Sequence, residues 1–141
     1  MKTMTEVVIK GGTVLDKTGS KKADIAIGAD GNIAQIGEGI AGGEVIDATG
    51  CIVTSGLVDL NSHFCQPGDE EIETISSGTR SAVLGGYTAV MLMPHTSPTI
   101  DSAAAVKEMQ SLRSEALCHI EFSGSLTADG LGEALSPIGE M

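Results

Sequence analysis

Aromatic residues and positive charge are both scarce in this sequence. It has one Tyr, two Phe and no Trp, and its eight Lys and Arg face nineteen Asp and Glu, for a formal net charge of −11. Few aromatics leave little stacking surface for single-stranded nucleic acid and few anchors for a protein interface. Nucleic acid and anionic membranes attract basic patches. We therefore expect neither nucleic acid nor a membrane as a partner.

Cysteine is also sparse, and long apolar runs are missing. Cys51, Cys65 and Cys118 are odd in number, widely spaced and not arranged as CxxC, which argues against a disulfide framework or a cysteine zinc cluster. No run approaches the ~18 apolar residues of a membrane-spanning helix. The opening MKTMTEVVIKGG has too short an apolar run for a signal peptide. These absences favour a cytoplasmic protein with reduced thiols.

Residues 1–55 have the pattern of short strands joined by turns. Gly, Val and Ile are frequent, and Asp30-Gly31 separates the extended stretches 24–27 and 32–36. An Asp-Gly pair tolerates the positive φ of hairpin turns, so a hairpin is expected there. We interpret 1–55 as short antiparallel strands that form a small β-sandwich-like segment.

Residues 56–141 alternate between strand and helix patterns. Residues 57–64 and 88–93 are predicted as strands covered on both faces. A helix is expected between them, beginning at the acidic residues 69–71 and ending at Gly85-Gly86. A second helix from Asp101 or Ser102 precedes a third strand over 118–126. The predicted class is α/β, with about two and a half β-α units and a parallel sheet.

The chemistry-bearing residues lie where these strands end. Ligands of parallel β-α folds bind at the carboxyl ends of the strands, here followed by NSHFCQPG and MPHTSPTID. Side chains alternate along a strand, so Asp59, Asn61 and His63 are expected on one face. This spacing suits a metal site, but an Asn amide is a weak ligand for zinc and His63 alone cannot hold an ion.

Several segments in order resemble the dihydroorotase family of the cyclic amidohydrolase superfamily: GLVDLNSHFCQPG, ETISSGTRSAVLGGYTAV, MPHTSPTIDS and LSPIGEM. The resemblance implies that residues 56–141 are the first strands and helices of an amidohydrolase-type TIM barrel. It also implies a zinc-dependent hydrolase that interconverts carbamoyl aspartate and dihydroorotate in pyrimidine biosynthesis, with a small-molecule cyclic amide as substrate. In such enzymes a metal-activated hydroxide attacks the ring amide carbon.

Four positions depart from the family pattern. The His-x-His pair of the first strand is Asn61-Ser62-His63 here, so only His63 retains a metal-ligand role by resemblance. The substrate-binding Arg is Cys65, the Asn of the MPNT motif is His95, and the Glu of the REPG motif is Gln66. The altered substrate-binding positions Cys65 and His95, with the degenerate metal position Asn61, predict weak or absent zinc binding and no catalytic residue in this chain.

A second interpretation of His95 is that it serves as a metal ligand. Asn61 and His95 look like an exchange of the family's His and Asn, which would let His63 and His95 share a metal from neighbouring strand ends; chance drift explains the pattern equally well. The remaining histidine, His119, falls near the start of the predicted third strand and so at the wrong end of the sheet for either role.

Three functional hypotheses stay open. A TIM barrel needs eight β-α units and ~250 residues, so the first hypothesis is a truncated, degenerate dihydroorotase-like chain, inactive by itself. The second is a noncatalytic structural or interaction subunit of a pyrimidine-synthesis complex. The third is an amidohydrolase whose remaining strands come from another chain. Open sheet edges predict self-association or a protein partner in each case.

Overall fold

The computed structural model describes residues 5–141, so the first four residues of the predicted 1–55 segment lie outside the described part. The chain forms two compact units, Met1–Ser55 and Gly56–Met141. The described residues 5–55 of the first unit form strands and turns, and the second unit alternates strands with helices. The architecture is therefore mixed α/β.

Seven strands lie in the described part of the first unit, residues 5–55. They are β1 Thr5–Lys10, β2 Thr13–Asp16, β3 Gly19–Lys22, β4 Asp24–Gly28, β5 Ile33–Gly37, β6 Glu44–Asp47 and β7 Ile52–Val53. They form one sheet in the order β5-β4-β1-β6 and another in the order β3-β2-β7. The predicted hairpin is confirmed, since β4 and β5 pair antiparallel around Gly31, which has a φ of 76°.

The expectation of purely antiparallel strands in this unit is wrong. β1 pairs parallel with β6, and β2 pairs parallel with β7. Turn residues specify pairing only between strands adjacent in sequence, whereas four other strands separate the members of each parallel pair. The sequence pattern also missed β3, because its residues GSKK are all exposed and leave no apolar signal.

The second unit has a three-stranded parallel sheet and two helices. In chain order the elements are β8 Leu57–Ser62, α1 Ile75–Leu84, β9 Tyr87–Leu92, α2 Ala103–Leu112 and β10 His119–Phe122. The sheet order is β10-β9-β8, and both pairings are parallel. The apolar core beneath it includes the buried residues Ile75, Leu92, Met109 and Ile120. The predicted alternation of strand and helix is confirmed.

Helix α1 begins later than predicted. The acidic residues 69–71 lie before it, and its cap is Thr74, whose Oγ1 accepts the backbone N–H of Ser77 at 3.1 Å. The Ser77 hydroxyl in turn accepts the Thr74 N–H at 2.9 Å, which completes a capping box. These two bonds fix the helix start more strongly than a general preference for negative charge near an N-terminus.

The outer strands of this sheet also differ from expectation. β8 ends at Ser62 and β10 at Phe122, both short of the predicted ends. Val58 and Leu60 are 58% and 67% exposed, so the prediction that this strand is covered on both faces is wrong for the described residues. No element of the second unit covers the face of β8 that carries Val58 and Leu60, and β8 is also an edge strand that pairs only with β9.

Neither α1 nor α2 is long and apolar enough to cross a membrane, a finding that covers residues 5–141.

Candidate functional site

The loops after β8 and β9 lie side by side at one end of the parallel sheet. The Met93 N–H donates to the Ser62 carbonyl at 2.9 Å, and the Ser97 N–H donates to the Pro67 carbonyl at 3.0 Å. These two bonds bring together the segments that contain His63 and His95. The strand-end placement predicted for both segments follows from the parallel pairing of β8 with β9.

Gly68 allows the two loops to approach this closely. Its φ is +119°, and a β-carbon built on it would lie 2.6 Å from both the β-carbon and the carbonyl oxygen of Ser97. Only glycine adopts this φ readily and offers the space. The loop–loop contact is therefore a property of the backbone, independent of the exposed side chains it presents.

A cleft of about 380 Å³ lies between β8 and α1, and Asp59, Asn61 and His63 all line it. The pairing is irregular at this point: Asp59 and Ser62 are three positions apart in β8, but their partners Val90 and Leu92 are only two positions apart in β9. The Asp59 carboxylate accepts the Asn61 N–H at 2.9 Å across this bulge. The three side chains thus share a cleft, although simple alternation along a regular strand does not describe how they reach it.

Asp59 is held in its ionised form. Its pKa is lowered mainly by the hydrogen bond from the Asn61 N–H, next by a hydrogen bond from the Ser62 side chain, and to a smaller extent by the charge of His63. Asp59 and His63 line the same cleft.

The imidazoles of His63 and His95 are neighbours. Their ring centres are 5.5 Å apart, and the ring planes are inclined by 18°. Both side chains are exposed. His119 is the first residue of β10 and so lies at the opposite end of a strand; its Nε2 is 3.0 Å from Glu121 Oε1. The structure thus brings together two of the three histidines, on the loops that the sequence indicated.

Cys65 and Gln66 have different surroundings. Cys65 is a half-buried free thiol. The Gln66 side-chain oxygen accepts the N–H of Ile75 at 2.7 Å, which satisfies a free donor at the start of α1. The sequence predicts for Gln66 only that it replaces the Glu of the family's REPG motif. Its contact was missed because the partners are nine residues apart and no local cap motif links them.

Phe64 is a second position whose role the sequence did not reveal. A β-carbon on Gly78 of α1 would lie 2.8 to 2.9 Å from carbons of the Phe64 ring, so the ring packs directly on this buried glycine. Phe64 separates His63 from Cys65 and anchors that loop to the helix. A helical Gly inside an otherwise apolar pattern is the signal that points to such close packing.

The residues present do not fit a complete zinc site. Residues 5–141 contain no group of three or more His, Cys, Asp or Glu side chains placed to hold one metal ion. Catalytic zinc sites ordinarily use three protein ligands and a water. No hydrolytic step through a metal is therefore assigned to these residues.

Comparison with known proteins identifies relatives of one kind. The family model described as "Dihydro-orotase-like" matches residues 50–134. Two similar curated proteins are the dihydroorotases of Ruminiclostridium cellulolyticum and Citrifermentans bemidjiense, 44% and 42% identical over 140 residues. Each alignment covers 96% of this chain and 33% of the relative. The chain thus spans about a third of the length of these relatives.

Solved structures extend the likeness to the fold. The L-hydantoinase (dihydropyrimidinase) of Arthrobacter aurescens matches 88% of this chain and 28% of its own, with a TM-score of 0.78 and 25% identity. The D-hydantoinase of Bacillus sp. AR9 matches 83% of this chain and 26% of its own, with a TM-score of 0.70 and 29% identity. Since the family model covers more than half of the sequence and these neighbours share its fold, the chain belongs to the dihydroorotase-like family of cyclic amidohydrolases.

Proposed function

We propose that this chain forms the opening strands of a dihydroorotase-like TIM barrel and supplies the strand-end wall that faces a small cyclic amide. The observation that supports this most directly is the joined pair of loops after β8 and β9, which present His63, Cys65 and His95 at one end of a parallel sheet. Those are the positions that the family resemblance associates with metal and substrate. Three parallel strands with intervening helices are also the arrangement with which such a barrel begins.

The side chains of this strand-end wall differ from the family pattern. Asn61 offers a neutral amide in place of an imidazole, which weakens zinc binding. Cys65 offers no bidentate donor to a substrate carboxylate, a contact that a guanidinium provides well. In a complete site of this family, bound zinc would supply the hydroxide that attacks the ring amide. We propose that the chain by itself does not turn over a cyclic amide.

The first test is an assay of the purified chain with dihydroorotate and with carbamoyl aspartate, in the presence of zinc. We expect no turnover above background, including for the Asn61→His/Cys65→Arg double variant. Catalytic groups act as a unit, so restoring one ligand and one carboxylate donor recovers little. Metal-dependent turnover by the double variant that is absent from a matched His119→Gln variant would contradict this part of the proposal.

A chimera tests whether this chain supplies the strand-end wall of a working site. This chain replaces the aligned third of the Ruminiclostridium cellulolyticum dihydroorotase, which is 44% identical. We expect a folded chimera without dihydroorotase activity. Activity should return when four positions are changed together to the family pattern: Asn61→His, Cys65→Arg, Gln66→Glu and His95→Asn.

The control for the chimera is His119→Gln, at an exposed position away from the carboxyl ends of the strands. This change should neither restore activity in the first chimera nor remove it from the restored one. A restored chimera that melts cooperatively but remains inactive would show that the segment does not supply the proposed wall.

A further inference from the structure

We propose that the first unit binds a single-chain aliphatic carboxylate, of the medium-chain fatty-acid class, in an apolar groove between its two sheets. The groove has a volume of about 490 Å³, which lies within the range of ordinary small-molecule sites. The proposal rests on the aliphatic lining of the groove, on the exposure of its walls and on the positive charge at its rim. It does not depend on the proposed hydrolase role, because every residue that lines the groove belongs to the first unit and the strand-end wall belongs to the second.

The groove exists because the buried cluster between the two sheets is small. Val14 of β2 and Ile25 of β4 are buried where the sheets meet. Ile33 and Ile36 of the edge strand β5 lie outside that cluster and are 62% and 45% exposed. Leu15 of β2 is 47% exposed. The floor of the groove is therefore buried while its walls are open, which leaves aliphatic surface for a ligand to cover.

The lining favours a flexible aliphatic ligand over an aromatic one. Residues 1–55 contain no Phe, Tyr or Trp, so no ring is available to stack on a planar ligand. An alkyl chain adapts its shape to branched walls and gains free energy with every methylene group that it buries. The aliphatic side chains that line the groove are Val14, Leu15, Ile25, Ile33, Ile36 and Val53.

The charged residues at the rim favour a negatively charged head group. Asp16 and Lys17 both line the groove. The Asp16 carboxylate accepts hydrogen bonds from the backbone and the hydroxyl of Thr18 and lies 3.9 Å from the Lys21 ammonium. Lys17 forms no ion pair within the described part of the chain. Residues 13–22 carry three Lys and one Asp in a chain whose net charge is −11, so this rim is a locally positive region on an acidic protein.

Calorimetric titration of the full chain with hexanoate, octanoate and decanoate, each below its micellar concentration, tests the groove. We expect one carboxylate per chain and an affinity that rises by a factor on the order of ten for each added pair of methylene groups. Decanoate should bind several-fold more tightly than decyltrimethylammonium, although the net charge of the chain attracts the cation. Equal affinity for the three chain lengths, or tighter binding of the cationic chain, would overturn the proposal.

Two pairs of variants separate the groove from general surface effects. Ile36→Glu should weaken decanoate binding by a factor on the order of ten, whereas Ile46→Glu should leave it unchanged. Ile46 is 50% exposed on β6, at the opposite edge of the same sheet, and does not line the groove. Lys17→Gln should weaken binding by about two- to fivefold, the usual contribution of one exposed ion pair. Its control is Lys22→Gln, at an exposed position on β3 outside the groove; equal effects within either pair would overturn the proposal.

Methyl nuclear magnetic resonance of the unmodified chain gives a readout that needs no variant to fold. Decanoate should shift the methyl signals of Ile33 and Ile36 and show nuclear Overhauser contacts with them, while the Ile46 signals stay in place. Binding to phosphatidylglycerol vesicles without binding of free decanoate would overturn the proposal in favour of a membrane surface. Shifts of Ile33 and Ile36 that depend on protein concentration and are unaffected by decanoate would overturn it in favour of a contact between copies. None of these results bears on whether the restored chimera hydrolyses a cyclic amide.

Discussion

The hydroxyl of Thr79 links the helix behind the site to a distant part of the chain. Thr79 is fully buried in α1; its Oγ1 donates to the Ile75 carbonyl at 2.6 Å and accepts the Leu117 N–H at 3.1 Å. The second bond ties α1 to the segment that enters β10. Replacing Thr79 with Val keeps the branched shape and removes both bonds, which makes it a direct test of this link.

The expected cost follows from what each variant leaves unpaired. In Thr79→Val the Ile75 carbonyl keeps its helical partner, but the Leu117 N–H loses its acceptor, and an orphaned donor costs about 1–3 kcal/mol. Val and Thr have similar helix propensities, so this term dominates. Thr79→Ser keeps the hydroxyl and loses one buried methyl group, which by analogy with Ile→Val costs about 0.5–1.5 kcal/mol.

Hydrogen exchange and urea unfolding distinguish these contributions. Thr79→Val should lower the free energy of unfolding more than Thr79→Ser does, and should selectively remove the exchange protection of the Leu117 amide. Burial of apolar surface alone predicts the opposite order, because Val is the more apolar residue. A Val variant that is at least as stable as the Ser variant, with Leu117 still protected, would refute the assigned link.

Three further predictions concern metal, association and pH. The chain should retain less than one zinc per molecule after a chelator wash, because Asn61 replaces a ligand; stoichiometric retention would contradict this expectation. Exposed apolar residues on the edge strand β8 should make the chain self-associate or bind a dye for apolar surface. The double variant Val58→Lys/Leu60→Lys should reduce self-association, measured by light scattering, and dye binding, measured by fluorescence. A monodisperse parent chain that binds no dye would show that this surface is tolerated in water. The pKa of Asp24 is lowered, mainly because its carboxylate accepts a hydrogen bond from the Gly11 N–H. The ionised carboxylate therefore stabilises the fold above the unfolded pKa of about 3.9, and this stabilisation is lost as the pH falls through the lower folded pKa. Asp24→Asn should flatten the acid limb of the unfolding curve in that window, and an unchanged limb would show that this carboxylate does not govern it.

Local patterns in the sequence were sufficient for several features. The Asp30-Gly31 hairpin formed where predicted because its turn needs only residues adjacent in sequence. The alternation of strand and helix after Gly56 was equally readable, since the two hydrophobic periods differ. That alternation also placed His63 and His95 after strand ends, because parallel strands bring their carboxyl ends to one edge.

Other features depended on contacts between residues far apart in the chain. The parallel pairing of β1 with β6 joins strands separated by four others, and the start of α1 is supported by the Gln66 side chain nine residues before Ile75. Neither has a signature in a short window of sequence. Their free energy comes from hydrogen bonds that exist only once the chain has folded back on itself.

The pair of histidines at the strand ends shows the same division most clearly. The order of residues along the chain is enough to place a histidine at 63, a second at 95 and an asparagine at 61 near the strand ends. The 5.5 Å between the centres of the two imidazole rings arises from the fold, because the loop hydrogen bonds and the contact of Gly68 with Ser97 hold the two loops together. Residue identity is local, whereas the separation of two side chains far apart in sequence is a property of the folded backbone between them.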